Sequence, residues 1–488
     1  MKMRVLYLAM LLVSPACLAL SSSPVKNNTA DLSHIIADYR QLLAKQPVDY
    51  SFREKIQLSG VLLRRYLLNS QQWSPQGVVS PERWQNGVDI YVPETAREKN
   101  ALVVINNGSN NNGAGVPLEP TNFSQDELAR IAVATRTVVI SVSNVPNQVL
   151  RYQGMTKPLS EDDSVAFSWK LFLSDPQKYP QISLHIPMAA SVSQAFRLAK
   201  KELGPQKITH FIVTGASKRG WAAWLTALSD PDVRAVVPFV MDLLDTKQSL
   251  RHMYQSYGNN WPLAFYPYYQ QGIDQQIGTG AFAALMTLED PLVYLNTGEG
   301  SRRAMVKYIV NASGDDFYVP DNSHFYYDRL PGAKSLRVVP NSSHNGILSV
   351  AEQSLVTFVN RFQAEQGLPD LTESLSHQQD GKQQLTVTFS EKPVRILQWT
   401  ATNPLARDFR YACDIKYRSV PVSLTAGSGK LSVPLTRPES GWQATYIEAT
   451  FSDGYVATTQ VYITPDDKYP DTAPPSKGAA CQTLPGRG

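Results

Sequence analysis

One corner of the chain restricts its fold more than any other stretch. "ITHFIVTGASKRGWAAWLTAL" spans residues 208–228. Its first part, 208–213, is a short apolar run, the pattern of a buried strand. Its last part, 220–228, carries apolar residues at helical spacing. Between them Gly215 and Ala216 lead into Ser217. Small residues at a strand-to-helix corner permit a tight turn that lifts one side chain clear of the backbone. Ser217 is therefore a candidate nucleophile. The alternative is that it caps the helix.

The corner belongs to a longer rhythm. Apolar runs at 101–106, 137–142, 233–240, 307–311 and 335–339 predict further strands. Helices are expected over 31–44, 187–203 and 346–364. Residues 56–68 and 87–92 also read as strands. Continuous apolar strands alternating with helices predict an α/β fold, a mostly parallel sheet covered by helices on both faces. This domain is expected over 31–367. Two stretches interrupt it, 147–184 and 243–299. They predict either a cap over the sheet edge or peripheral helices. From residue 368 the pattern alternates instead, at 384–390, 442–451 and 455–464. That predicts an antiparallel β-sandwich of immunoglobulin size over 368–465. The tail over 466–488, rich in Pro and Gly, is expected to be loosely held.

Composition bounds the partners. A length of 488 residues requires more than one ordinary domain. A net charge of +4, with no basic tract, argues against nucleic acid as a partner. Residues 1–19 read as a signal peptide: Lys2 and Arg4 precede an apolar stretch too short to span a bilayer. Cleavage is expected after Ala19, and lipid attachment at Cys17 is the lesser alternative. No later run predicts a stable membrane span. The chain is expected to be exported, to the periplasm or beyond. Cys413 and Cys481 then form a disulfide or stay as free thiols, the disulfide being favoured in an oxidising compartment.

A serine nucleophile needs a base, an acid that orients the base, and donors for the oxyanion. Three residues in the chain order of an α/β-hydrolase meet the first needs: Ser217, Asp315 and His344. His344 follows the last expected strand, and Asp315 the one before. Asp316 and Asp242 are alternative acids, or the aspartates are simply turn formers. His324 is the weaker rival base. Of the other histidines, His34 and His377 fall outside the expected core, His210 lies within a strand, and His185 and His252 follow no strand. The oxyanion donors are expected at the Lys218 N–H and in the loop 106–110, at Gly108. The usual second glycine of G-x-S-x-G is Arg219 here, with Gly220 one later. The side chains of Lys218 and Arg219 are expected either to face an anion or to pair with structural carboxylates. Trp221 and Trp224 read as core. No metal-binding spacing and no phosphate loop occur, and this chemistry requires no cofactor.

Several blocks together resemble the PhoPQ-activated pathogenicity-related protein family. They are "GASKRGW" (215–221), "SQQW" (70–73), "INNGSN" (105–110), "EDDSVAFSW" (161–169), the stretch from "SGDDFYVPDN" at 313 to His344, and "WTATNPLARDFR" (399–410). The resemblance implies an α/β-hydrolase-like domain followed by an immunoglobulin-like module. It implies Asp315 as the acid, with Asp316 where relatives often have glutamate. Asn106 and Asn107 stand where relatives tend to have glycines. The family's name reflects control by a two-component system that senses magnesium and antimicrobial peptides, which implies a place at the bacterial envelope and a role in virulence or in antimicrobial-peptide resistance. The leading expectation is an exported serine hydrolase acting on an ester, peptide or glycan-like substrate. The alternative is a non-catalytic binding protein on the same scaffold.

Overall fold

Among the described residues, nine strands form the central sheet: β1 (Asp49–Leu58), β2 (Val61–Gln72), β3 (Arg83–Pro93), β4 (Asn100–Ile105), β5 (Val138–Val142), β6 (His210–Ala216), β7 (Val233–Phe239), β8 (Val306–Ala312) and β9 (Lys334–Val339). Their order is β1-β2-β3-β5-β4-β6-β7-β8-β9. The pairs β1–β2, β2–β3 and β3–β5 are antiparallel. From β5 to β9 every pair is parallel. The sheet is therefore mixed. The single strand expected over 56–68 is a hairpin, because the chain reverses at Gly60 with φ +73°, a conformation glycine adopts freely.

This computed structural model describes residues 32–111, 115–297, 304–377, 383–425 and 427–487. The expected signal peptide lies outside them.

Alternation along the strands feeds two cores. Ala101, Val103 and Ile105 of β4 face α1 (Ile35–Ala44), α3 (Glu161–Ser174), α4 (His185–Glu202) and α5 (Lys218–Ser229). Leu102 and Val104 face α2 (Gln125–Thr135) and the closing helix. The sheet is thus covered on both faces, as period-two burial requires. The closing helix begins later than expected. Asn345–Val350 is a 3-10 turn, and the α-helix runs over Ala351–Gln363.

The C-terminal region holds two antiparallel sheets. One joins Leu371–His377, Gln383–Phe389 and Lys430–Leu435; the other joins Arg418–Pro421, Arg395–Asn403, Trp442–Thr450 and Val456–Thr458. Leu385, Val387, Ile396, Leu431 and Ile447 fill a small core of their own. The strand expected over 455–464 is two, Val456–Thr458 and Tyr462–Thr464. The break lies where the Gln460 N–H turns aside to donate to Glu373. Phe451, Tyr455 and Ala457 join the core of the main sheet, and the Tyr308 hydroxyl donates to the Val456 carbonyl at 2.7 Å.

The tail is docked rather than loose. Thr483–Pro485 pairs with Asn260–Pro262, Arg487 reaches Asp274, and Cys481 is joined to Cys413 as a disulfide with Cα atoms 5.0 Å apart. No helix among the described residues is long and apolar enough to cross a membrane.

Candidate active site

Ser217 stands at the junction of β6 and α5, at φ 58° and ψ −128°. A non-glycine residue there carries about 1–3 kcal/mol of strain and persists only when its surroundings fix it. The Ser217 N–H donates to the Phe239 carbonyl at 2.9 Å, and the Trp221 N–H donates to the Ser217 carbonyl at 2.9 Å. Ser217 holds the N-cap position, yet its side chain makes no capping hydrogen bond. The displaced second glycine has a local reason. A Cβ at Gly215 would meet the Arg219 carbonyl oxygen at 2.6 Å, and one at Gly220 would meet the Gly215 oxygen at 3.0 Å. The two glycines pack against each other's turn, so position 219 is free to carry a side chain.

Asp315 follows β8 and His344 follows β9, at the same carboxyl edge of the sheet as Ser217. His344 Nδ1 lies 3.0 Å from both carboxylate oxygens of Asp315. Asp315 is buried, and its Oδ1 also accepts the N–H groups of Phe317 at 2.7 Å and Tyr318 at 3.2 Å. The carboxylate is therefore held from two sides. Burial opposes the charged imidazolium of His344, but the charge and hydrogen bond of Asp315 outweigh it, so its pKa is raised. Among the described residues, no hydrogen bond joins Ser217 to His344. The walls of one cavity link them: Phe317 and Tyr318 line the space beside Ser217, and both rings lie 5.9 Å from that of His344.

The alternative residues have other partners. Asp242, after β7, receives the Tyr326 hydroxyl, and burial pushes its pKa up to about 8. Asp316 meets the backbone of His344. His324 bonds the Val461 carbonyl, and His252 bonds Asp321 and Tyr469. His185 pairs with Glu289, both fully buried, and stacks on Trp221 at 4.9 Å.

The cations beside Ser217 are paired with carboxylates. Lys218 Nζ lies 2.7 Å from Glu161 and 3.0 Å from Asp162. Arg219 contacts Glu161 at 2.6 Å and donates from Nε to the Val145 carbonyl at 2.6 Å. Burial alone would raise the Glu161 pKa, but Arg219 and Lys218 hold it well below the carboxylate range. These side chains thus anchor α5 to the start of α3. The Lys218 backbone N–H, at the first helical position, has no acceptor within its own helix. Gly108 has φ +102°, and a Cβ there would meet Asn144 Oδ1 at 2.8 Å. Its carbonyl accepts from Gln148, which also contacts Glu161. Gly108 is not among the residues lining the Ser217 cavity.

That cavity is tight, with a volume of about 10 Å³. Trp169, Trp221, Phe265, Tyr268, Phe317 and Tyr318 give it aromatic walls, with Asp162 and Lys218 at one side. Both interrupting stretches contribute, and they meet where Trp169 contacts Tyr268 edge-on at 5.4 Å. They form a cap over the serine. Trp224 is core, while Trp221 is both buried and part of the cavity wall. Sequence reasoning missed Phe317 and Tyr318. Their signal was position, directly after the two aspartates.

A sheet of this order, with a strained serine after one parallel strand and an Asp–His pair after the last two, defines an α/β-hydrolase arrangement. The chain belongs to the PhoPQ-activated pathogenicity-related protein family, whose sequence model matches residues 36–410. It is similar to autocrine proliferation repressor protein A of Dictyostelium discoideum, with 29% identity over 406 residues and 79% of each chain covered. Among solved structures it is similar to an acetyl xylan esterase from Paenibacillus sp. R4, at 14% identity and a TM-score of 0.45, covering 68% of this chain and 95% of that one. Acetyl xylan esterase 1 from Thermoanaerobacterium sp. JW/SL YS485 gives 15% identity and a TM-score of 0.42, covering 67% and 93%.

Proposed function

We propose that this protein is an exported serine hydrolase that cleaves esters with a small acyl group. The observation that carries this reading is the Asp315–His344 pair at the same sheet edge as the strained Ser217. His344 Nε2 removes the proton of Ser217 Oγ, which attacks the carbonyl carbon. The oxyanion is received by the N–H of Lys218 and by an N–H at Gly108. The intermediate collapses, the C–O bond breaks, and His344 gives its proton to the departing alcohol. Water then repeats the sequence on the acyl-enzyme. Asp315 keeps the imidazole in the tautomer with Nε2 free. The enclosed cavity favours small esters over peptides and glycans. Its walls are mostly buried aromatic side chains, and its volume of about 10 Å³ is room for about one water, which leaves space for a small acyl group only as the walls give way.

The test is a fluorophosphonate probe on the mature protein, read by intact mass. One adduct on the parent and none on Ser217→Ala is expected. A folded parent that takes up no probe ends the reading. The second reading, a non-catalytic envelope or secreted binding protein on the same scaffold, draws on the missing Ser217–His344 hydrogen bond. Such bonds often tighten only with substrate in place. Export is checked by the N-terminal sequence of the native protein, expected to begin after Ala19.

A further inference from the structure

We infer that residues 407–417, in the C-terminal region, are a positioning element that sets the acid and base loops of the proposed hydrolase site. Three ties carry this. The Tyr411 N–H donates to the Gly314 carbonyl at 3.0 Å, one residue before Asp315. The approach is so close that a Cβ on Gly314 would lie 2.6 Å from the Tyr411 nitrogen. Asn341, three residues before His344, exchanges two hydrogen bonds with Tyr417: Nδ2 donates to its carbonyl at 3.0 Å, and Oδ1 accepts its N–H at 2.7 Å. Arg407 pairs with Asp321, beyond Asp315 on the same loop, at 2.6 Å.

The two loops also hold each other. The Gly314 N–H donates to the Ser342 carbonyl at 3.0 Å, and the Asn341 N–H to Ser313 Oγ at 3.0 Å. The bracket outside them is itself braced. Arg410 grips Asp408 and donates to the Gln482 carbonyl at 3.0 Å, and the Cys413–Cys481 disulfide fastens the docked tail to it. The ties fall on residues flanking Asp315 and His344, so they bear on the separation of Nδ1 from the carboxylate. Small displacements of such groups change rates steeply. The inference rests on the hydrolase reading for its meaning, while its geometry can be tested apart from activity.

The experiment is NMR titration of histidine-labelled full-length protein, with the His344 signal assigned by its loss in His344→Gln. Asn341→Gly deletes both Tyr417 bonds and suits the local φ of +54°. Its His344 midpoint is expected to fall by about half a pH unit or more, as an imidazole losing its carboxylate does. The limiting rate of probe labelling is expected to fall about tenfold. Should Asn341→Gly fail to fold, Cys413→Ala with Cys481→Ala loosens the same bracket and must move the midpoint the same way. An unchanged midpoint in the folded variant overturns the inference. A parent that does not label but whose midpoint falls in the variant sinks the hydrolase reading and leaves the positioning element standing.

Discussion

Ser217 and the Asp315–His344 pair share one edge of the sheet but are held by different parts of the molecule. The serine turn is fixed by Phe239 on the neighbouring strand, by two glycines packed on their own turn, and by Glu161 at the start of the cap. The acid and base loops take their ties from Arg407, Tyr411 and Tyr417, beyond the end of the main sheet. The first arrangement is nearly self-contained. The second makes the C-terminal region part of the site rather than an appendage. A residue on a strained turn tolerates little movement, so Ser217, the proposed nucleophile, is built into the sheet. Its partners sit on loops, and loops need a scaffold.

The largest effect should come from the base. His344→Gln is expected to slow probe labelling by about a thousandfold or more, measured as a second-order rate. The pH profile sharpens the point. His344 must be neutral to act as a base, and its pKa is raised, so labelling should fall on acidification from above the ordinary imidazole value near 6.5. Asp315→Asn should move that limb to lower pH while cutting the plateau. Next in size is the far end of the bracket. Arg407→Met leaves Asp321 buried, with His252 as its remaining partner, and is expected to cost about 3–5 kcal/mol in urea unfolding at pH 7. Burial would raise the Asp321 pKa, but Arg407 and His252 depress it well below its ordinary value. The parent therefore holds this contribution above about pH 4 and loses it as pH falls. The deficit of the variant should narrow in acid.

The same contrast explains what could be read from sequence. The strand, the serine turn and the helix after it are adjacent in the chain, so G-A-S and the flanking periodicities carried them. Asp315 and His344 were legible because each follows a parallel strand in the expected chain order. The bracket was not. Arg407 and Asp321 are 86 residues apart, and Asn341 and Tyr417 are 76 apart. Nothing local marks an asparagine that bonds to a distant backbone. The hairpin at Gly60 was missed because Ile56 and Leu58, at the end of an otherwise mostly polar and exposed β1, run on into the apolar start of β2 and read with it as one strand. The docked tail was missed because its holds are a disulfide, a three-residue strand and one arginine, none of which has a periodic signature.

On the serine side the expected loss is smaller. Glu161→Gln leaves the buried Arg219 without its carboxylate, while Lys218 keeps Asp162. Glu161 is itself more than a third exposed, with 38% of its side chain accessible. A cost of about 2 kcal/mol is expected, below that of a fully buried pair. If this variant proves costlier than Arg407→Met, the contrast between a self-contained turn and borrowed loops is reversed.

One change should have the opposite sign. Asp242 lies between the two regions, after β7, and burial pushes its pKa from 3.8 up to about 8. The folded protein thus holds a proton that the unfolded chain gives up near pH 4. Stability falls as pH rises through that window, because the folded state binds more protons there. Asn has no proton to lose. Asp242→Asn should match the parent near pH 4 and gain stability steadily as the pH rises towards 8, read as a higher urea midpoint. It also separates the two aspartates. If Asp315 alone orients His344, Asp242→Asn keeps its probe labelling. If labelling collapses instead, the imidazole answers to Asp242, and the bracket around Asp315 holds the wrong loop.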